Sequence, residues 1–278
     1  MLGLGNSVIR GGVIEESAFT PASISNLTLW LAVNTNITAD EASNGSALSP
    51  EHTSNGGDMI NFDRVDFWGG SGGTSINAVQ TTSNKKPRWD TTTGNLGSIR
   101  SAAGNKFMNL SSSITFAADT DFTIVIRFKP DVASDARGLV GDDSGEFVRK
   151  HNATTIRIKT DNPASSSTDN DIVFGTAMQD EEIITLIVVR SGGSTGNIDA
   201  FLRSNVSGYF DGTATGTAAG NTIQDSQEVI VDTIMAQGPN DGIFDGNFYD
   251  VIMYNGTAVT SAQREQLFDY IEGQSHPQ

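Results

Sequence analysis

The sequence predicts an all-β protein, a jelly-roll β-sandwich of two antiparallel sheets with an N-terminal arm and a short C-terminal helix. Short apolar runs recur about every ten residues between turn residues, a rhythm typical of sandwiches and barrels rather than of βαβ units. The composition agrees, because 30 glycines, a charged fraction of only 18% and many Ser, Thr and Asn residues favour strands joined by turns. One stretch near the C-terminus also reads as a buried strand, a turn and an amphipathic helix.

The first twenty residues form a segment of their own, in which apolar residues are spaced by glycines and Pro21 follows. We expect residues 1–22 to be an arm that docks on a neighbouring chain and residues 23–278 to be the jelly-roll domain. A strand folded back on its own domain is the alternative. The predicted interface residues of the arm are Leu2, Leu4, Val8, Ile9, Val13 and Ile14.

Strand signals begin at Ile24, where leucines alternate around Trp30. The polar residues 34–57 lack periodicity and predict a surface loop, with a helix start near 38–42 as a further reading. Alternation resumes over residues 62–68 and places Val65 and Phe67 on one face and Arg64 and Asp66 on the other. Further short strands are predicted at 76–80 and 86–89.

The clearest strand covers residues 121–129, where Phe122, Ile124, Ile126 and Phe128 alternate with more polar residues until Pro130. The run 183–189 is apolar on both faces and is therefore predicted to be central, with a hairpin loop at 191–196. The other predicted strands lie at 147–150, 154–159, 172–176, 198–202 and 229–235.

The last strand is predicted around residues 248–254, which are apolar on both faces. Asn255 and Gly256 supply a turn, since both tolerate positive φ. Thr260 and Gln263 then fit a capping box, and the helix that follows presents one apolar stripe, made of Leu267, Phe268 and Ile271.

Charge and composition exclude several classes of function. The net charge is −16 and the sequence pI about 4.4, so a nucleic-acid or anionic membrane partner is not expected. Because there is no cysteine, neither disulfides nor thiolate metal sites contribute. The N-terminus lacks the basic and apolar regions of a Sec signal, and no run is long enough to span a membrane. We therefore expect a cytoplasmic protein or one that leaves its cell by lysis or another non-Sec route.

Several stretches resemble the concanavalin A-like, laminin-G-type jelly-roll superfamily. LTLWLAVNTNITA (27–39) is similar to its opening strand and KPRW (86–89) to a segment that precedes a core strand. EEIITLIVVRSGGSTGNIDAFLRSNVSG (181–208) is similar to its central hairpin, and FDGNFYDVIMYNGTAVTSAQREQLFDYI (244–271) to its closing strand and helix. A tryptophan usual before the central strand is absent here. The resemblance covers about residues 24–275 and implies a fold rather than a function.

The opening MLGLGNSVIRGG, continuing through SAFTPASISNLTLWL, also resembles the start of structural proteins from tailed marine phages, especially cyanophages. This resemblance implies a non-enzymatic virion protein that decorates a capsid or belongs to a neck, tail or fibre. It would be made in the host cytoplasm and released in virions by lysis. Its expected partners are other virion proteins and further copies of itself in a homo-oligomer or symmetric assembly.

Catalytic patterns are weak. Relatives that cleave β-glucans carry Glu-x-Asp-x-x-Glu on one strand, where two carboxyl groups stand about 5 Å apart. Asp180, Glu181 and Glu182 are instead consecutive, so they cannot all face one way. Gly69 to Gly73 matches G-x-S-x-G formally but lacks its strand–turn–helix context. The three histidines lie far apart in the sequence, and we expect no enzyme.

The sequence is compatible with two kinds of ligand, calcium and carbohydrate. Aspartates in loops, above all Asp142 and Asp143, are candidate calcium ligands, although turn formation is the commoner role of Asp; no other cofactor is expected. A carbohydrate-binding module that adheres to host glycans is the alternative function. Its candidate aromatic platforms are Trp68, Tyr209 and Phe210, with core filling as the competing interpretation.

Overall fold

The computed structural model describes residues 18–33, 35–53, 60–91, 97–101, 105–142, 145–160, 170–204, 206–210, 223–224, 226–238 and 242–274. These residues form antiparallel strands, short 3₁₀ turns and one α-helix, which confirms the all-β class. The strands are β1 (Leu27–Ala32), β2 (Ile37–Glu41), β3 (Ala47–Thr53), β4 (Arg64–Trp68), β5 (Ala78–Val79), β6 (Arg88–Asp90), β7 (Ser98–Ser101), β8 (Met108–Phe116), β9 (Phe122–Pro130), β10 (Arg137–Gly141), β11 (Phe147–Asn152), β12 (Thr155–Lys159), β13 (Asn170–Val173), β14 (Ile184–Ser191), β15 (Asn197–Ser204), β16 (Gly208–Tyr209), β17 (Ile223–Gln224), β18 (Val229–Ile234) and β19 (Gly246–Asn255); α1 spans Ser261–Gly273.

The strands form one continuous hydrogen-bonded array that folds into two layers. The front layer has the order β1-β19-β9-β14-β15, with β16 and β17 both on β15. The back layer has the order β13-β12-β11-β10-β18-β8-β5-β4-β2-β3. The layers are joined because β6 pairs with β4 and β7, and β7 pairs with β19. The two sheets predicted from the sequence are thus linked along one side.

The main core lies between these layers. Every residue of β9 is buried, and its Ile124 and Ile126 belong to the same apolar cluster as Ile156 and Val231 of the back layer. Strand β14 is also buried along its length except for its last residue, as its apolar sequence predicts. Each fully buried aliphatic side chain of this kind contributes about 1.5–3 kcal/mol.

A second apolar cluster covers the outer face of the front layer. Helix α1 begins after Thr260, whose hydroxyl accepts from the Gln263 N–H at 3.3 Å within the predicted capping box. Its other end is held by Arg127, whose Nη1 donates to the Ile271 carbonyl at 2.6 Å. The predicted stripe is buried, and it packs on front-layer residues that include Val125, Ile187 and Ile252; the stripe is Leu267, Phe268 and Ile271.

The segment before β1 packs on the same face. Pro21 is buried, and its carbonyl accepts from the Tyr254 hydroxyl at 3.0 Å. The ring of Phe19 meets that of Tyr270 edge-on, with centroids 6.1 Å apart. The domain boundary predicted at residues 22 and 23 thus falls within a segment that is packed against α1 and β19.

Two expectations for the N-terminal half of the chain are wrong. The stretch 34–57, predicted as a loop, contains β2 and β3, and the helix start near 38–42 is part of β2. Strand β8 has no counterpart among the predicted strands, because its central residues Ser111 to Ser113 are exposed and polar. Among the described residues, no helix is long and apolar enough to cross a membrane.

Candidate functional site

A groove of about 420 Å³ lies where β2, β3 and β4 meet the loop that begins at Gly69. Its volume falls in the range of about 300–1,000 Å³ that is usual for small-molecule sites. We call it the Phe67 groove, after the aromatic residue in its wall. It is lined by Asn36, Ile37, Thr38, Thr53, Phe67, Gly69, Gly70 and Asn77.

Cross-strand pairing places the wall residues of the groove side by side. Thr38 of β2 lies opposite Thr53 on one side and opposite Phe67 on the other. Phe67 in turn lies opposite Val79 of β5. Because directly paired residues share a face, a partly exposed aromatic ring stands between hydroxyl groups and a valine.

The floor is a loop whose backbone approaches its neighbours too closely for side chains. A Cβ on Gly69 would lie 2.7 Å from the Asn36 Cβ and 2.9 Å from the Phe67 Cε1, and a Cβ on Gly70 would lie 2.6 Å from the Thr74 carbonyl oxygen. The Gly69 N–H donates to the Asn36 carbonyl at 2.7 Å. Glycine at these two positions therefore lets the loop pack beneath the Phe67 ring.

Polar groups lie in or beside the Phe67 groove. The Oδ1 of Asn77 accepts from the Gly70 N–H at 2.9 Å, which orients the amide, while its Nδ2 makes only a long contact of 3.5 Å with the Ser75 carbonyl. The Thr38 hydroxyl donates to Asp66 Oδ1 at 3.1 Å. Burial raises the pKa of Asp66, and the charges of Asp40 and Glu51 raise it further. The groove can thus offer a ring face and an amide N–H to one ligand, and the Asp66 carboxylate lies next to its lining residue Thr38.

The neighbouring Trp68 is not part of this wall. It is fully buried in the main core, and its indole Nε1 donates to the Ala32 carbonyl at 3.1 Å. A ring without exposed surface cannot stack on a sugar, so the prediction of Trp68 as a platform is wrong. Phe67 is a partly exposed aromatic residue beside the glycine loop, and the sequence reasoning missed it as a candidate.

The other two predicted platforms lie at the far end of the front layer. Phe210 is fully buried, so its prediction as a platform is wrong as well. Tyr209 is partly exposed, but its hydroxyl donates to Glu265 and accepts from Arg203 at 3.1 Å. Its ring meets that of Phe268 edge-on at 6.0 Å. Tyr209 thus ties β16 to α1, and its role as a ligand contact stays a prediction.

Asp142, one of the predicted calcium ligands, is buried and caps a turn. Its Oδ1 accepts from the N–H groups of Gly145 and Glu146, both at 3.0 Å. Asp143 lies outside the described residues, as do all six predicted interface residues of the N-terminal arm. Within the described ranges, no group of three or more acidic or histidine side chains could hold a metal ion.

The carboxylates and the serine that match catalytic patterns in the sequence each make separate contacts in the structure. Asp180 accepts from the Ala133 N–H at 2.6 Å, Glu181 pairs with Lys129, and the buried Glu182 accepts from the Ser204 hydroxyl. These three side chains diverge, as their consecutive positions predict. The Ser71 hydroxyl lies 2.7 Å from that of Thr35, which fits the loop interpretation of the glycine-rich stretch.

No protein-family model and no curated protein sequence matches the chain. Among solved structures, it is similar to an arabinofuranosidase complexed with arabinofuranosyl-α-1,2-xylobiose (TM-score 0.54, 9% identity, 91% of this chain, 65% of that one). A mutant GH54 α-L-arabinofuranosidase gives a TM-score of 0.51 at 12% identity with the same coverage. A sialidase CBM40 from Ruminococcus gnavus gives only 0.35 at 13% identity, over 60% of this chain and 93% of that one. The chain thus spans less than two thirds of each arabinofuranosidase, and the likeness to these two structures shows the fold alone.

Proposed function

We propose that this chain is a non-enzymatic carbohydrate-binding domain and that its site is the Phe67 groove. The observation that carries the proposal is a partly exposed aromatic ring between hydroxyl and amide groups, held over a tightly packed glycine loop. A sugar ring offers an apolar C–H face to the Phe67 ring and hydroxyl groups to Asn77 and Asp66. A pre-formed site also spares the ligand the cost of ordering the loop.

The contribution of the ring can be estimated from the surface that it covers. Stacking a sugar on Phe67 removes roughly 60 Å² of apolar surface from water, which contributes about 1.5 kcal/mol at about 25 cal/mol per Å². This corresponds to about a tenfold change in Kd. The Asn77 amide adds a hydrogen bond of about 1 kcal/mol.

The test compares Phe67→Ala with the wild-type chain, first on a glycan array and then by isothermal titration calorimetry with the best ligand. We expect binding to fall about tenfold or more, with the circular dichroism spectrum unchanged. Phe62→Ala is the control, because Phe62 is also a phenylalanine in contact with solvent, at 38% exposure, but lies before the start of β4, at the opposite end of that strand from Phe67. Equal loss in both variants, or no binding above background by the wild type, would refute the proposal.

The virion role expected from the sequence resemblance is compatible with this function, since a tail or fibre protein that holds host glycans would be an adhesin. That role depends on residues 1–17, which lie outside the described part of the chain, and it stays a prediction. Deleting residues 1–17 should leave the domain folded and able to bind sugar but abolish its incorporation into particles. Normal incorporation of the truncated chain would exclude docking through the arm.

A further inference from the structure

Two carboxylates lie near the Phe67 groove, Asp66 on β4 and Glu51 on β3. Asp66 accepts from the Thr38 hydroxyl at 3.1 Å, which places its carboxylate beside the lining. Glu51 is exposed and lies two residues before Thr53 in β3, so the two side chains share a face. Both Glu51 and Asp40 are close enough for their charges to act on Asp66.

The nearby cations pair with other carboxylates and do not neutralise Asp66 or Glu51. Lys86 is buried, and its Nζ donates to both Asp40 oxygens, at 2.6 and 2.7 Å, and to Glu41 Oε1 at 2.7 Å. Arg64 pairs with Glu41 at 3.1 Å. In the described ranges, neither Glu51 nor Asp66 has an ion pair with Lys or Arg, and no lining residue of the groove is basic.

We infer that the Phe67 groove selects neutral sugars and rejects anionic ones, such as sialylated, uronic or sulfated glycans. An anionic substituent would stand beside two carboxylates that lack a cationic partner in the described part of the chain, and like charges brought together at an interface oppose binding strongly. A neutral hydroxyl meets no such opposition, since it can donate to Asp66 and accept from Asn77. This inference rests on the proposed function, because it assigns the ligand class of the same groove.

The test measures Kd by calorimetry for a neutral oligosaccharide and for its sialylated, glucuronated and sulfated counterparts. At low salt, we expect each anionic form to bind at least tenfold more weakly. The difference should shrink as ionic strength rises, because salt screens exposed charges. Glu51→Gln should improve the binding of the anionic forms several-fold. Glu228→Gln removes the same charge from a residue that precedes β18, a strand that contributes no residue to the lining of the groove, so it should not change the preference.

The outcomes separate this inference from the function on which it rests. If anionic forms bind as tightly as neutral ones, or if Glu51→Gln leaves the preference unchanged, the selectivity is refuted while sugar binding stands. If no sugar binds, neutral or anionic, the proposed function itself is refuted.

Discussion

Replacing Asp250 with asparagine should change the way in which the stability of this protein depends on pH. Asp250 lies in β19, opposite Ala32 on one side and Arg127 on the other, and is only 3% exposed. Among the described residues its Oδ2 has no hydrogen-bond partner. Burial raises the pKa of Asp250 to about 7, against a smaller lowering by Arg127.

Proton linkage gives the direction in which the contribution of Asp250 to stability changes with pH. Between the unfolded pKa of about 4 and the folded pKa, the folded chain binds more protons at this group than the unfolded chain, so its contribution to stability falls as pH rises. At about 1.4 kcal/mol per pH unit, the loss between pH 5 and pH 8 is about 2–3 kcal/mol. The amide that replaces the carboxyl group does not titrate. The free energy of unfolding of Asp250→Asn, relative to wild type, should therefore increase by that amount across this interval.

The assay is urea unfolding, followed by intrinsic fluorescence at several pH values between 5 and 8. Asp171→Asn is the control, because hydrogen bonds from Arg157, at 2.6 and 2.8 Å, hold the pKa of Asp171 below its ordinary value. This contribution is lost only as pH falls through the acidic range, so the cost of Asp171→Asn should be constant from pH 5 to pH 8. If the unfolding free energy of Asp250→Asn minus that of wild type stays constant or falls as pH rises, Arg127 keeps Asp250 charged in the folded chain and the reasoning is refuted.

Two further substitutions test side chains that stabilise the fold by satisfying backbone groups. Thr260→Ala removes the cap of α1 and should cost about 1 kcal/mol, a fall in Tm of about 2–4 °C at this chain length; an unchanged Tm would contradict the capping role. Arg190 is buried, stacks 4.6 Å from the Phe122 ring centroid, and donates to three carbonyls, those of Thr120, Ala117 and Gln227. Arg190→Met leaves these acceptors unpaired and should cost about 3 kcal/mol or more in urea unfolding; a cost below about 1 kcal/mol would mean that water replaces the guanidinium.

The parts of the fold that could be predicted are those in which local sequence and burial agree. The buried strands β14 and β19 are apolar on both faces over most of their length, and β9 alternates apolar with more polar residues. Helix α1 carries both its capping box and its apolar stripe within a dozen residues. Each signal is local, so it needs no knowledge of the partner strand. Strand β8 differs because Met108 and Leu110 are separated from Ile114 by three exposed serines. Its pairing with β18 supplies the order that its own residues do not predict.

The prediction of Trp68 as an exposed platform is wrong for a reason that lies in one residue, Asp66. Ala39 lies opposite Val65, but the adjacent Thr38 lies opposite Phe67, so β4 has one extra residue at this point and forms a β-bulge. Side chains alternate with a period of two, and a bulge therefore reverses the faces of all residues beyond it.

Strict alternation would put Phe67 in the core with Val65 and leave Trp68 on the opposite face. With the bulge, Trp68 turns inward and Phe67 becomes the wall of the groove. The bulge is specified by pairing with β2 and not by residues 62–68 alone, so the local pattern could not show which of two adjacent aromatic rings meets solvent. Bulges frequently redirect side chains beside functional sites. The extra residue that makes the prediction of Trp68 wrong therefore also supports the proposal that Phe67 contacts the ligand.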